Sequence, residues 1–102
     1  MRVLITGAGG QLGIDVVAVL SIRHDVTACA HVDLDVSNPV AVMNRLTSER
    51  PEIVVNCAAW TAVDDCEGDP NRAIRINGMG PAHLVAAAEL VGARVVQIST
   101  DY

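Results

Sequence analysis

Val3-Leu4-Ile5-Thr6-Gly7-Ala8-Gly9-Gly10-Gln11-Leu12-Gly13 stands at the start of the sequence, a short apolar strand delivered straight into a glycine turn. A periodic helix follows, with Leu12, Val16, Val19 and Leu20 recurring at helical spacing. Strand, glycine turn and helix in that order form the phosphate-binding corner of a dinucleotide site. Gly7 allows the tight turn, Gly10 lets backbone approach a pyrophosphate, and Gly13 lets helix and strand pack closely. The helix then points its first free N–H groups and the positive end of its dipole at the phosphates. Glycine also serves any tight turn, so the rest of the chain has to support the reading.

Alternation of strand and helix continues beyond this corner. Residues 25–30 read as a second strand, and residues 31–36 as a loop or a very short third strand. Asn38 is an expected N-cap with Pro39 at the first helical position, and Val42, Met43 and Leu46 form that helix's buried stripe. Arg50-Pro51 ends it. Residues 53–58 form the next buried strand. Residues 64–69 are acidic and turn-rich, and a helix is expected over residues 70–77. Gly80-Pro81 starts a further helix with Leu84, Val85, Ala88 and Val91 on one face, and Gly92 is its expected left-handed cap. Residues 94–98 form the last strand. The pattern predicts an α/β fold: a Rossmann-type, doubly wound parallel sheet in three αβα layers, cut off after about five strands. Residues 1–102 are expected to be one NAD(P)-binding domain, incomplete, without a C-terminal substrate region.

Composition narrows the partners. The chain has 102 residues, 51% of them hydrophobic, with no Phe, one Trp and one Tyr. Val, Ala, Leu and Ile must therefore fill the core, as suits strands covered on both faces. The net charge is −5 and no basic run exists, which argues against nucleic acid or an anionic membrane as partner. Glycines interrupt the apolar first 20 residues, so no signal peptide is expected and the protein reads as cytoplasmic. Cys29, Cys57 and Cys66 lack C-x-x-C spacing; Cys29 and Cys57 lie in apolar runs, so reduced, buried thiols are expected. No His pairs with Cys or acid at metal-ligand spacing, and the group Asp64, Asp65, Glu67 and Asp69 lacks the regularity of a calcium loop, so no metal is expected.

Four segments fall at carboxyl ends of strands, where ligands of such sheets bind. They are the glycine turn, residues 30–36, residues 58–61 and residues 99–102. At the end of the second strand an acid normally holds the ribose 2′-OH of NAD. Here Ala30 and His31 stand there, which permits the 2′-phosphate of NADP; no Arg adjoins Ala30 to grip that phosphate, so the lean to NADP(H) over NAD(H) is modest. Asp33 and Asp35 follow and could reach the adenosine, or remain solvated. A hydroxyl in Ser99-Thr100-Asp101-Tyr102 suits the oxygen of a carbonyl receiving hydride, or equally a turn.

These segments together resemble the extended short-chain dehydrogenase/reductases, and more narrowly the dTDP-4-dehydrorhamnose reductase family. The resemblance runs over the entire chain. It is carried by Gly7-x-x-Gly10-Gln11-Leu12-Gly13, Asp35-Val36-Ser37-Asn38-Pro39, Asn56-Cys57-Ala58-Ala59-Trp60-Thr61-Ala62-Val63-Asp64, Asn77, Val91-Gly92-Ala93 and Ser99-Thr100-Asp101-Tyr102. It implies that Gly10, Gln11 and Leu12 contact the pyrophosphate and that Asp35 and Val36 flank the adenine. Ala58, Ala59 and Thr61 would line the nicotinamide-side ribose, with Ile98 beneath the ring. Thr100 would polarise the sugar C4 carbonyl, and Asp101 and Tyr102 would face a dTDP-4-keto-6-deoxy sugar. A homodimer is expected of the full-length protein.

Two departures stand out. The segment between Ala30 and Asp35 is short, and the family's catalytic Tyr-x-x-x-Lys pair is missing. Tyr102 is the single Tyr and the last residue, and all seven basic residues are Arg, with no Lys. Proton delivery in such enzymes needs a phenol whose pKa a neighbouring ammonium lowers. The expected function is therefore NADP(H)-dependent reduction of dTDP-4-dehydro-L-rhamnose to dTDP-L-rhamnose, with this chain supplying the dinucleotide-binding half and inactive alone. The alternative is a non-catalytic regulatory NADP-binding subunit or an inactive truncated relative.

Overall fold

A computed structural model describes residues 1–58 and 79–98. Within them the order is β1 (Arg2–Thr6), α1 (Gln11–Leu20), β2 (Asp25–Cys29), α2 (Pro39–Glu49), β3 (Ile53–Asn56), α3 (Gly80–Val91) and β4 (Arg94–Gln97). The four described strands form one sheet in the order β2-β1-β3-β4, every pair parallel. The chain leaves β1 to one side for β2 and returns to its other side for β3. That reversal puts the topological switch point at the carboxyl ends of β1 and β3.

Strand alternation sorts the core into two layers. Leu4 and Val54 face α2 and α3 and pack with Val42, Leu46, Leu84, Ala87 and Ala88. Val3, Ile5 and Val55 face α1 and pack with Val16, Val17 and Leu20. Among the described residues the α1 face is the thinner layer. Beside α1 it keeps an open apolar groove of about 640 Å³, lined in part by Val3, Val16, Leu20, Val55 and Ile98.

Most elements follow the expected sequence signals. The Asn38 side chain accepts the Ala41 N–H at 3.1 Å, with Pro39 opening α2. Arg50 ends α2 in a left-handed conformation (φ 49°), and Gly92 ends α3 in another (φ 74°). Residues 31–36 form turns and loop, the first of the two forms expected, and four strands are seen among the described residues. Two readings of helix faces need correction. The inward stripe of α1 is Gly13, Val16, Val17 and Leu20, whereas Leu12 and Val19 point outward. Gly13 permits the close approach, and that fixes the rotation of the helix. In α3 the buried face takes Ala87, while Val85 is exposed. The expected turn over 64–69 and helix over 70–77 lie outside the described residues.

Candidate dinucleotide-binding site

The three glycines of the turn do three different things. Gly7 adopts φ 65°, and a Cβ there would stand 2.5 Å from the Ala58 nitrogen, so the ends of β1 and β3 touch backbone to backbone. A Cβ on Gly13 would stand 2.0 Å from the Gly7 carbonyl oxygen, so α1 rests directly on the turn. Gly10 differs. A Cβ there would meet the Gly7 oxygen at 3.5 Å, an ordinary contact. The fold therefore does not require glycine at position 10.

Gly10 is also the N-cap of α1. It is extended, provides no side-chain cap, and the first helical turn carries no acid. The first intrahelical bond runs from the Ile14 N–H to the Gly10 carbonyl at 2.9 Å. The N–H groups of Gln11 and Leu12 come before that bond, at the positive end of the helix, and both residues are exposed. Such an end accepts an anion without any side chain. The turn itself is held from both sides: Ala8 N–H donates to the Cys29 carbonyl at 3.1 Å, and Gly10 N–H to the Gly7 carbonyl at 3.1 Å.

Beneath the crevice lies a polar network that the motif reading passed over. Cys29, Thr6, Asn56 and Gln97 form one row across the carboxyl end of the sheet. Thr6 and Asn56 are wholly buried. The Thr6 hydroxyl donates to Asn56 Oδ1 at 2.6 Å, and Ala58 N–H donates to the same oxygen at 3.1 Å. The Asn56 amide then donates to Gln97 Oε1 at 2.6 Å. A buried amide has to be fully partnered, and here its partners tie β1, β3 and β4 together beneath the opening. The signal was available: Asn56 is the one polar residue closing the apolar run Ile53-Val54-Val55.

At the end of β2 Ala30 lies beside the turn; a Cβ on Gly9 would stand 3.2 Å from the Ala30 Cβ. No acid occupies position 30 itself, but the loop brings one back. Asp33 Oδ2 accepts the Ala30 N–H at 3.0 Å, and Arg45 Nη2 donates to the Asp33 carbonyl at 3.0 Å. The Asp33 carboxylate thus reaches back to residue 30, and the Arg45 guanidinium, which the sequence reading did not place here, holds the same turn.

In the next loop Asp35 Oδ1 accepts from both the N–H and the hydroxyl of Ser37, at 2.9 and 2.6 Å. Val36 is buried against α3. His83 of α3 is half-buried, and its Nδ1 lies 2.9 Å from the Val36 carbonyl oxygen. Ile98 N–H donates to the Asn56 carbonyl, while its side chain joins the α1-side core. Ala59, Thr61, Thr100, Asp101 and Tyr102 lie outside the described residues, as does Cys66.

Cys29 and Cys57 are free. Cys29 is buried and Cys57 half-buried, and burial raises both thiol pKa values; for Cys29 the nearby Arg45 partly offsets it. Both stay protonated at neutral pH, which leaves them inert as nucleophiles. Among the described residues no group of three His, Cys, Asp or Glu could hold a metal, and no helix is long and apolar enough to cross a membrane.

Comparison with known proteins now bears on this geometry. The family described as RmlD substrate binding domain matches residues 1–102. The chain belongs to this family. The dTDP-4-dehydrorhamnose reductase of Streptomyces griseus is 47% identical over 102 residues, which cover 99% of this chain and 34% of that protein. The crystal structure of a dTDP-4-dehydrorhamnose reductase from Clostridium acetobutylicum superposes with a TM-score of 0.90 at 48% identity, covering 100% of this chain and 37% of that one. The reductase from Bacillus anthracis, solved in complex with NADP, gives a TM-score of 0.89 at 40% identity, over 99% of this chain and 37% of that one. The chain thus spans about a third of the length of the RmlD relatives it matches. The parallel sheet and its crossover helices are those of dehydrogenases and reductases of this kind.

Proposed function

We propose that this RmlD-family chain forms the dinucleotide-binding part of a reductase that takes NADPH and a dTDP-4-keto-6-deoxy sugar, converting dTDP-4-dehydro-L-rhamnose to dTDP-L-rhamnose. The observation that carries the reading is Gly10: a glycine the fold does not need, at an uncapped helix start, over the switch point of the sheet. A missing side chain there is explained by something that must come close to the backbone. The bound cofactor of the Bacillus anthracis relative supports NADP as that something.

In this reading Gln11 and Leu12 offer backbone N–H groups and dipole to the pyrophosphate, Gly10 lets it come close to the backbone, and Gly7 and Gly13 hold the turn. Asp35 and the Val36 backbone flank the adenine, and Ala30 adjoins the adenosine ribose. Ala58, Ala59 and Thr61 line the second ribose, and Ile98 supports the nicotinamide. Bound NADPH supplies the hydride. Thr100 donates a hydrogen bond to the sugar C4 carbonyl oxygen, where negative charge develops, and Asp101 and Tyr102 orient the nucleotide-sugar. These 102 residues contain no Lys, so the ammonium that would tune a proton-donating phenol is not among them.

The test has two parts. Calorimetric titration of NADPH into the chain reads the dinucleotide site, and NADPH oxidation dependent on dTDP-4-keto-6-deoxy sugar, by the product of the full-length gene, reads the reaction. Binding with turnover supports the reductase. Binding without turnover makes the protein a non-catalytic NADP-binding relative, and absence of binding removes the proposal.

A further inference from the structure

We propose that His83 is a positioning residue for the adenine side of the site, holding the Asp35–Ser37 turn at a fixed height over the crevice; this rests on the dinucleotide reading above. Two anchors run from the first turn of α3 to a single residue 44 and 47 positions earlier in the chain. One is steric: Gly80 packs so closely on Val36 that a Cβ would stand 2.8 Å from its Cγ2. The other is polar: His83 Nδ1 lies 2.9 Å from the Val36 carbonyl oxygen. A carbonyl only accepts, so His83 must carry its proton on Nδ1. Asp35 meanwhile locks the turn from within through its two bonds to Ser37.

What this clamp holds in place is the Val36 backbone, with its N–H. Val36 is only 2% exposed, and among the described residues no acceptor takes that N–H. Buried backbone donors are almost always satisfied, so a donor left over beside a crevice suits an acceptor on a ligand. A heteroaromatic ring nitrogen such as adenine offers one. A loop already fixed in the binding conformation loses little freedom on association, and His83 contributes through that preorganisation rather than by touching the ligand.

The experiment compares half-ligands in the intact protein. His83→Ala should weaken 5′-AMP about three- to tenfold while leaving reduced nicotinamide mononucleotide and the melting temperature nearly unchanged, since one neutral hydrogen bond is involved. His83→Asn carries an N–H where Nδ1–H stood and should restore most of the 5′-AMP affinity. His83→Gln, which displaces the donor by one bond, should resemble His83→Ala and replaces it if that variant fails to fold. Equal weakening of both half-ligands, an Asn variant no better than Ala or Gln, or unchanged 5′-AMP affinity in a folded His83→Ala overturns the inference. A parent protein that binds neither half-ligand overturns the dinucleotide reading itself.

Discussion

Asp33 closes the end of β2 onto Ala30: its carboxylate accepts the Ala30 N–H at 3.0 Å, and its own N–H returns to the Ala30 carbonyl at 2.9 Å. In the proposed dinucleotide site a negative charge would therefore stand beside the adenosine ribose, although residue 30 has no charge of its own. Asp33→Asn keeps an oxygen for the Ala30 N–H and removes the repulsion. The ratio of NADPH to NADH affinity should rise about three- to tenfold, or ~0.7–1.4 kcal/mol. Calorimetric titration of both cofactors checks it; an unchanged ratio in a folded variant takes Asp33 away from the ribose.

The glycine turn predicts a split between folding and binding. Gly13→Ala forces a Cβ against the Gly7 carbonyl and should destabilise by about 3 kcal/mol or more, at the upper end of overpacking costs. Gly10→Ala meets only an ordinary contact and should leave stability within about 1 kcal/mol. Gly10→Val should fold and lose NADPH affinity. Urea melts paired with calorimetry separate the two effects, and a Gly10→Val protein that binds like the parent removes the pyrophosphate from this corner.

Asn56 is the keystone of the row under the crevice. Asn56→Leu strands the buried Thr6 hydroxyl and the Ala58 N–H, and should cost about 2–4 kcal/mol in urea denaturation. Adding Thr6→Val removes one of the stranded groups. The double variant should therefore be more stable than the sum of the single effects, a coupling the double-mutant cycle measures directly.

The thiols give stability a pH dependence with a defined sign. Burial raises the folded-state pKa of Cys29 and Cys57 above that of the unfolded chain. Protons are then bound more tightly in the native state, so the contribution is complete below the unfolded thiol pKa of about 8.5 and is lost as pH rises through the folded values. Urea midpoints should fall between about pH 8 and 10, and a Cys29→Ala/Cys57→Ala variant should flatten that slope.

How much of this was legible follows from where each signal lies. Apolar runs, Asn38-Pro39 and Gly92 are local chemistry, so the sheet, the helices and their ends could be read residue by residue. The same holds for Gly7 and Gly13, whose spacing alone gives the tight turn and the close packing of α1 on it. Helix rotation was harder, because Leu12 and Val19 share the hydrophobic period of α1, and only the contact at Gly13 decides which residues turn inward. The loop after β2 was legible least. Asp33 reaches Ala30 within a local turn, Arg45 reaches Asp33 across 12 positions once α2 is in place, and His83 reaches Val36 across 47 positions once α3 has docked, a distance no local pattern spans.

The order β2-β1-β3-β4 also sets a timetable for the ribosome. The earliest of the described strands, β1, is a central one, and its partner on the crevice side arrives about 50 residues later, with Val3 pairing Ile53 and Thr6 pairing Asn56. Until then the glycine corner has no far wall. Closing so long a loop is slow, and nothing in the nascent segment of β1, α1 and β2 can grip a dinucleotide across the gap. A dinucleotide bound as proposed, between β1 and β3, would select chains that have completed this pairing, and its abundance would become a lever on how many copies stay folded.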